Sequence, residues 1–409
     1  MAETLNIFQD VHFDEAITKW DIHTYLPYSS SNYGLSEEIR ILIQSQDLIT
    51  ATYDSFLYIE GKIERKPEDH LKQCHLTNNF ASFLFEEIRY ELGGQRVDVC
   101  RNPGITSALK GYVSYTTAES KALTHLGWSP KDDDEPLQVE YTKTDDNVSK
   151  YFSVCIPLKH IFGMMEDYHQ VIVNMKQELI LIRSRSDADC YHSEADATRK
   201  LSKIHWKVPH LTLGDSAKLN LFERINKNVA ISIPFRQWEL YELPALKQAP
   251  MDIWPIKTST QLEKPRWVIV AFQKNKKFAK SEKAANFDNV NIRNIKLHLN
   301  SESYPYEAMH LDFNENKYIA AYHQFLAFRQ NYYAKDEQDA LFDYSQFKKC
   351  PIFVIDCSKQ NETLKNSTVD IKLEIESRSS FDAGIVAYCL ILHDALIQYN
   401  PLTGEVNKL

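Results

Sequence analysis

Hydrophobic and polar residues alternate in many short runs along this chain, as they do in β-strands with one buried face. The run 371–376 alternates strictly, with Ile371, Leu373 and Ile375 on one side and charged residues on the other. Similar runs lie at 39–44, 56–63 and 292–299. Many short strands separated by polar turns predict an all-β protein built from antiparallel sheets, as a sandwich or a barrel.

Two adjacent glycines mark the clearest hairpin. Alternating residues at 85–92 and 97–99 flank Gly93 and Gly94, and a tight turn needs the positive φ angles that glycine adopts at little cost. Apolar residues at helical spacing are clearest at 103–115 and 317–333, which predicts two helices.

The order of these elements repeats along the chain. The first half predicts strands at 39–44 and 56–63, the hairpin, a helix, and then strands at 152–156, 171–183 and 204–213. The second half predicts strands at 238–243, 267–272 and 292–299, a helix, and then strands at 352–355, 369–376 and 385–392. The repeat lies in element order rather than in residue identity, so we expect one fold used twice.

This repeat predicts the domain boundaries. We expect an N-terminal arm at 1–20, a first domain at 21–215, a short amphipathic linker helix at 216–228 and a second domain at 229–409. Two charged stretches, 131–150 and 274–283, are expected to form long surface loops within the two halves.

Composition narrows the function. The 409 residues contain 11 glycines and carry a formal charge of −9, which disfavours phosphate-binding loops and a dedicated nucleic-acid binder. The N-terminus lacks the features of a signal peptide, and no run of 18 apolar residues occurs. The seven cysteines form no CxxC pair. We therefore expect intracellular synthesis without passage through the ER, and reduced thiols.

Enzyme motifs are missing from the sequence. It contains no GxxxxGK[ST], GxGxxG, HExxH, GxSxG or CxxC. Ser107 and Lys110 match SxxK, but that motif needs further partners that are not found, so we interpret the match as chance. We predict no catalytic, cofactor-binding or metal-binding residues, no cofactor, and therefore no enzyme.

Several polar clusters have a functional and a structural interpretation. His205 and His210 are interpreted as strand residues rather than metal ligands. Asp187, Asp189 and His192 are interpreted as a solvated loop rather than a cation site. The acidic runs at 132–134 and 145–146 are expected to face water.

The aromatic and basic clusters also have a functional and a structural interpretation. Phe325, Phe328, Tyr332 and Tyr333 are predicted to be a buried core or subunit contact rather than an exposed stacking platform. The five lysines of 274–283 are not expected to bind nucleic acid specifically, given the acidic chain.

Longer phrases carry a family resemblance. They extend from about residue 20 to the C-terminus and lie at 85–94, 101–106, 206–210, 262–272, 353–362, 387–394 and 399–403. In these phrases the chain resembles double jelly-roll-like domain proteins. That family occurs in arthropod genomes and is similar to the major capsid proteins of Polinton-type and adintovirus-like double-stranded DNA viruses.

The resemblance implies a double jelly roll: two tandem eight-stranded antiparallel jelly rolls with a few short helices. It further implies a structural major capsid protein that forms homotrimers of pseudo-hexameric outline, which tile an icosahedral virion capsid. The expected partners are the chain itself, then neighbouring capsomers, with penton or minor capsid proteins and an inner-face membrane as open alternatives. Sequence-specific nucleic-acid binding is not expected.

Two alternatives stay open at this point. The apolar residues of the arm, among them Ile7, Phe8 and Ile17, could bind a neighbouring subunit or a membrane, or belong to a disordered tail. The chain could also be a host-retained, endogenised jelly-roll protein that binds a partner or self-assembles without building a shell.

Overall fold

The fold follows from a computed structural model that describes residues 16–29, 32–44, 49–66, 74–129, 141–143, 148–193, 198–257, 265–279, 281–300, 302–334, 340–359 and 370–409. Within these ranges it consists of antiparallel sheets joined by short helices. The acidic runs at 132–134 and 145–146, and the arm residues before Ala16, lie outside the described residues.

The first half of the chain forms thirteen strands among the described residues. They are β1 (Ile17–Tyr25), β2 (Glu38–Ile43), β3 (Ile49–Thr50), β4 (Phe56–Arg65), β5 (Cys74–Leu76), β6 (Phe85–Leu92), β7 (Gln95–Arg101), β8 (Tyr141–Lys143), β9 (Val148–Pro157), β10 (Ile172–Val173), β11 (Gln177–Arg183), β12 (Tyr191–Ser193) and β13 (Thr198–Leu213). The helices of this half are α1 (Phe80–Phe83), α2 (Pro103–Ser114), α3 (Thr117–Ala122), α4 (Leu158–Ile161) and α5 (Gly163–Asp167).

The second half follows a connecting helix. The helices are α6 (Asp215–Asn226), α7 (Ile319–Tyr333) and α8 (Tyr344–Lys349). The strands are β14 (Ile231–Leu243), β15 (Met251–Lys257), β16 (Pro265–Lys274), β17 (Ile292–Leu299), β18 (Glu302–Tyr304), β19 (Phe353–Asp356), β20 (Ile371–Ser377), β21 (Ile385–Tyr399) and β22 (Val406–Lys408).

Each half is a sandwich of two sheets with the same strand order. In the first, β1, β13, β4 and β9 lie side by side and face a sheet of order β2-β11-β6-β7. In the second, β14, β21, β16 and β19 face a sheet of order β15-β20-β17-β18. In both halves the first strand lies beside the long strand that ends the roll (β1 beside β13, β14 beside β21), and the second strand lies beside a late strand of the facing sheet (β2 beside β11, β15 beside β20). This is the jelly-roll arrangement. We call the two sandwiches roll 1 and roll 2, and the double jelly roll predicted above is confirmed.

The predicted alternation explains which sides of these strands are buried. Ile39, Ile41 and Ile43 of β2 have no exposed surface, and the same holds for Ile371, Leu373 and Ile375 of β20. Their polar neighbours point away from the core because successive side chains of a strand face opposite ways. The Gly93-Gly94 hairpin is confirmed as well, with φ of 58° and 82°.

Two strands that alternation did not predict are the edge strands β1 and β15. Because β1 and β15 are not among the predicted strands, the predicted repeat pairs β2 with the strand that contains Trp238. This pairing is wrong, since β2 corresponds to β15 and β14 corresponds to β1. Both strands escaped prediction for physical reasons. β1 has no buried residue, and β15 contains Pro255, which an edge strand tolerates.

The apolar run 171–183 also differs from its prediction as one strand. It forms β10 and β11, which belong to different sheets, because Asn174 adopts a left-handed φ of 51° between them. Residues 141–143 and 148–150 of the predicted loop 131–150 are strand residues. Residues 17–20 of the predicted arm pair with β13. The predicted helices are present, and α6 covers residues 216–226 of the predicted linker with no buried residue.

Candidate functional site: the contact between the two rolls

The best-developed polar site joins the two rolls. Helix α5, which lies between β9 and β11 of roll 1 and packs on α4, contacts β14 of roll 2. The approach is close at Gly163, where a methyl group would meet the backbone carbonyl of Arg236 and the ring of Trp238. Gly163, Met164 and Met165 are buried there. Gly163 is therefore required because the two rolls approach closely at this position, and not because the backbone turns there.

An ion pair crosses the contact beside this glycine. Asp167 accepts hydrogen bonds from the backbone N–H of Arg236 at 2.8 Å and from its Nε at 2.9 Å, and a further bond from the second guanidinium nitrogen. The guanidinium also lies 3.8 Å from the ring centroid of Tyr332. Burial, the largest single influence, lowers the pKa of Arg236, but the hydrogen bond to Asp167 together with the charges of Asp167, Tyr332 and Tyr333 raises the pKa above its usual value. The fork and the stacked ring fix the orientation of β14.

A second cation is buried next to it. Lys110, on α2, is 1% exposed; its Nζ lies 2.8 Å from the carbonyl oxygen of Lys159 and 2.8 Å from a carboxylate oxygen of Glu166. The same ammonium lies 5.4 Å from the ring centroid of Trp238 in roll 2. The other carboxylate oxygen of Glu166 accepts a hydrogen bond from Tyr333 at 3.1 Å. Lys110 and Glu166 thus connect α2, α4, α5 and α7.

Both residues of the SxxK match, which we interpreted as chance, make structural contacts. Ser107 donates to the carbonyl oxygen of Pro103 and accepts a bond of 2.7 Å from Asn79. Neither Ser107 nor Lys110 lies free in a cleft, since both are buried and engaged.

A buried histidine completes the network on the roll 1 side. His160 Nδ1 lies 2.5 Å from the hydroxyl of Tyr115, and Nε2 lies 3.3 Å from Oδ1 of Asn79. Burial, and secondarily the charge of Lys110, lowers the pKa of His160 to about 3. The imidazole is therefore neutral at physiological pH and acts as a hydrogen-bonding spacer between loops.

Aromatic packing supplies the apolar part of the contact. Tyr112 of α2 donates to the carbonyl oxygen of Ala285 in roll 2 at 3.1 Å. Its ring also lies against Phe287 and Phe342, with centroid distances of 6.3 and 4.8 Å. The predicted core role of the aromatic cluster on α7 is confirmed, because Phe325 and Phe328 have no exposed surface and Tyr332 stacks on Phe328.

One predicted loop is instead part of the folded interior. Asp187 is buried and accepts bonds of 3.0 and 3.1 Å from Arg183, so its interpretation as solvated was wrong. Asp189 accepts a bond of 2.6 Å from the backbone N–H of Phe278 in roll 2, and burial raises the pKa of Asp189 to about 6. His192 pairs with His75 between β12 and β5. These residues hold loops together rather than a cation.

The remaining candidates are also accounted for by local contacts. His210 Nε2 lies 2.8 Å from the hydroxyl of Tyr25, and His205 lies on the same strand beside buried Trp206. Three lysines of 274–283 pair with carboxylates: Lys274 with Asp382, Lys276 with Asp288 and Lys277 with Glu242. This loop therefore offers little unpaired positive charge among its described residues.

A cleft of about 720 Å³ opens beside the contact between the rolls. Its lining includes Tyr53, Tyr115, His160, Glu166, Arg236 and Tyr333. Two carboxylates in this wall already have cationic partners, Glu166 with Lys110 and Asp167 with Arg236. Among the described residues, no group of three or more His, Cys, Asp or Glu is placed to hold a metal ion, and no described helix is long and apolar enough to cross a membrane.

Sequence reasoning missed Gly163, Asp167 and Arg236. Only Gly163 left a signal, as an isolated glycine in an apolar segment of a glycine-poor chain. The ion pair joins residues 69 positions apart, and no local pattern announces such a pair.

The family follows from a comparison of the sequence with known domains. A profile of the double jelly roll-like domain matches residues 74–397, well over half of the chain. The chain belongs to the double jelly roll-like domain family. No curated protein sequence matches it.

Solved structures show how widely this double jelly roll-like fold is shared. A chain of the Sputnik virophage, solved by cryo-EM, is similar with a TM-score of 0.66 and 8% identity, over 99% of this chain and 91% of that one. The mavirus major capsid protein gives 0.57 and 11%, over 99% and 92%. The Faustovirus major capsid protein gives 0.58 and 7%, over 97% and 93%. At these identities the likeness shows the fold.

Proposed function

We propose that this double jelly roll-like protein is a structural major capsid protein. The observation that carries the proposal is the fixed contact between two rolls of the same strand order, sealed by Gly163, the Asp167–Arg236 pair and buried Lys110. The two halves of a wall unit must keep a fixed orientation. A contact that contains a buried, fully bonded ammonium group and a partly buried ion pair resists hinging.

The proposed assembly is a homotrimer of six rolls with a pseudo-hexagonal outline, which tiles an icosahedral shell in the virion. Two domain units, the first extended at its N-terminal side to include the whole of β1 and the second at 229–409, joined by α6, suit this role. The mavirus and Faustovirus proteins, which are major capsid proteins, match over more than nine tenths of their length. Pseudo-hexagonal units cannot fill fivefold vertices, so we expect a separate penton protein as a partner.

The test is the mass and shape of the purified full-length chain. Native mass spectrometry should give a species of three times the 47.6 kDa chain, and negative-stain microscopy should show hexagonal units or closed particles. A protein that stays monomeric across concentration, salt and pH refutes the proposal. A monomer that binds a glycan or protein ligand would support the host-retained alternative instead.

A further inference from the structure

Strand β1 is attached to roll 1 mainly through its backbone. It pairs with β13 from Ile17 to Tyr25, yet none of its nine residues is buried. The equivalent edge strand of roll 2, β14, has four buried residues. Burial of apolar side chains is the main term that holds an element in a fold, and segments with little of it open locally at low cost. Detaching β1 therefore costs less than detaching β14.

The chain that follows β1 is anchored independently of β13. The backbone N–H of Tyr28 donates to the carbonyl oxygen of Arg40 on β2 at 3.0 Å, and the Tyr28 hydroxyl donates to Glu178 on β11 at 2.6 Å. Both contacts lie in the sheet that faces β13. Residues 17–25 can therefore leave β13 while the chain beyond them stays in place.

Two histidines meet where β1 lies on β13. The ring centroids of His23 and His210 are 4.1 Å apart, and the Tyr25 hydroxyl lies 2.8 Å from Nε2 of His210. His23 and Tyr25 share a face of β1, because side chains two positions apart on a strand point the same way. His210 is 8% exposed. Burial, and secondarily the charge of His23, lowers the pKa of His210 to about 4, so this contact favours an uncharged ring.

The other ionisable groups around His210 do not neutralise a charge on it. Those on its own strand and on the elements packed against it are Asp21, His23 and Tyr25 of β1, Tyr53 and Asp54 of the turn at 52–54, and His205 and Lys207 of β13. Asp21 pairs with Lys19, Asp54 is exposed, and residues 205 and 207 lie on the opposite face of β13 from His210. Strand β3 reaches His210 through Thr50, which has no ionisable group. Among the described residues no carboxylate raises the pKa of His210, so two protonated rings at this contact would repel each other without compensation.

We propose that β1 is an acid-released strand, which leaves β13 when both imidazoles of the His23–His210 pair are protonated. Like charges in contact repel, and a protonated His210 has no acceptor nitrogen left for the Tyr25 hydroxyl. Release uncovers the edge of β13, whose free N–H and C=O groups can then pair with another strand. The inference concerns a single chain and does not rest on the capsid proposal.

Proton linkage gives the sign and the size of the effect. The neutral imidazole of His210 contributes stability that is complete above pH 6.5 and is lost as the pH falls toward 4. If the ring regains its usual pKa of 6.5 once β1 leaves, the ratio of released to paired strand rises about 30-fold between pH 7.5 and pH 5. The change should be confined to β1, because β13 keeps its pairing with β4.

Hydrogen exchange of the full-length chain tests the release. It is followed by mass spectrometry at pH 7.5 and pH 5 and corrected for the intrinsic exchange rate at each pH. Peptides from β1 should lose protection by about 30-fold, whereas peptides from β15, an edge strand of roll 2 without a histidine, should change by less than about threefold. Unchanged protection of β1 refutes the release. An equal loss in both strands also refutes it, because acid would then loosen the whole fold rather than one strand.

Two glutamine variants separate the histidine pair from other causes. His210→Gln cannot be protonated but can still bond Tyr25, so its β1 should keep at pH 5 the protection that it has at pH 7.5. His205→Gln is the matched control, because His205 lies on the other face of β13 with its ring 6.3 Å from that of Tyr58. It should lose protection in β1 as the wild type does.

Each variant has an outcome that overturns the assignment. An equal loss in His210→Gln and the wild type would show that the pair is not the trigger, and a protected β1 in His205→Gln would move the trigger to the other face of β13. If His210→Gln does not fold, His23→Gln at an exposed position takes its place. It should lose less protection than the wild type, and an undiminished loss would count against the pair. Native mass spectrometry at pH 7.5 measures trimer formation separately, so either proposal can fail alone.

Discussion

Replacing Gly163 with alanine tests whether the contact between the rolls is as close as the structure places it. The added methyl carbon would lie 3.2 Å from Cδ1 of Trp238 and 3.0 Å from the carbonyl carbon of Arg236, and closer still to that carbonyl oxygen. Carbon atoms pack at about 3.5–4.0 Å. The obstacle is backbone on one side and a buried ring on the other, so neither can turn aside.

The cost has two parts. Overpacking a filled interior costs about 1–3 kcal/mol. Moving the rolls apart also stretches the 2.8 Å bond between Asp167 and the N–H of Arg236, which adds about 1 kcal/mol. We expect Gly163→Ala to lower the free energy of unfolding by about 3 kcal/mol. At an unfolding entropy of about 2 cal/mol/K per residue, this is a fall in Tm of roughly 3–4 °C if both rolls unfold together.

The assay is urea unfolding followed by tryptophan fluorescence, with Gly34→Ala as the matched control. At Gly34 the nearest atom to an added methyl is Oε1 of Glu37 at 3.2 Å, the end of a flexible side chain. That variant should stay within about 0.5 kcal/mol of the wild type. Equal stability of the two alanine variants would refute the reasoning, because it would mean that the rolls are not held at the observed distance.

Three further outcomes are expected. The folded-state pKa of His160, about 3, lies below the usual 6.5, so the stability that the neutral imidazole contributes is complete above pH 6.5 and is lost as the pH falls toward 3. His160→Gln should therefore reduce the fall in the urea midpoint between pH 6.5 and 3. An unchanged dependence on pH would contradict the assignment. A double-mutant cycle of Arg236→Ala and Asp167→Ala, measured by urea unfolding, should give a coupling free energy of about 1–2 kcal/mol. The value is modest because the Arg236 side chain is 33% exposed and solvent screens the pair. Additive effects of the two substitutions would mean that the pair contributes nothing to stability. Asn102 precedes α2 with a left-handed φ of 44°. In thermal melts, Asn102→Ala should lower the unfolding free energy by about 1 kcal/mol, whereas Asn102→Gly should stay within about 0.5 kcal/mol of the wild type. If the glycine variant were the less stable of the two, the left-handed backbone would not be the cause.

Much of the fold could be predicted from local pattern. The buried faces of β2 and β20 follow from strict alternation, because a strand half in water sorts its residues by side. The Gly93-Gly94 turn follows from the φ angles that only glycine adopts freely. A strand without a buried side, such as β1, leaves no such trace and could not be predicted in this way.

The site could not be predicted in the same way. Asp167 and Arg236 are ordinary charged residues in the sequence, and only the packing of α5 on β14 makes them a pair. Asp187 looked like a loop carboxylate, yet Arg183 four residues earlier holds it inside roll 1. Sequence pattern shows which side of one element is buried, but not which distant element buries it.

The pattern of the sequence predicted an all-β fold used twice, and the resemblance of its longer phrases implied a double jelly roll. The scarcity of glycine pointed away from phosphate loops. The structure shows that other residues adopt the positive φ angles that glycine usually supplies. Within the described residues these include eight asparagines, among them Asn79, Asn102 and Asn174, and Ser36. Only the tertiary structure decided that β14 is covered and β1 is open. The reason is physical, since burial between elements depends on the placement of whole rolls, which no local period encodes.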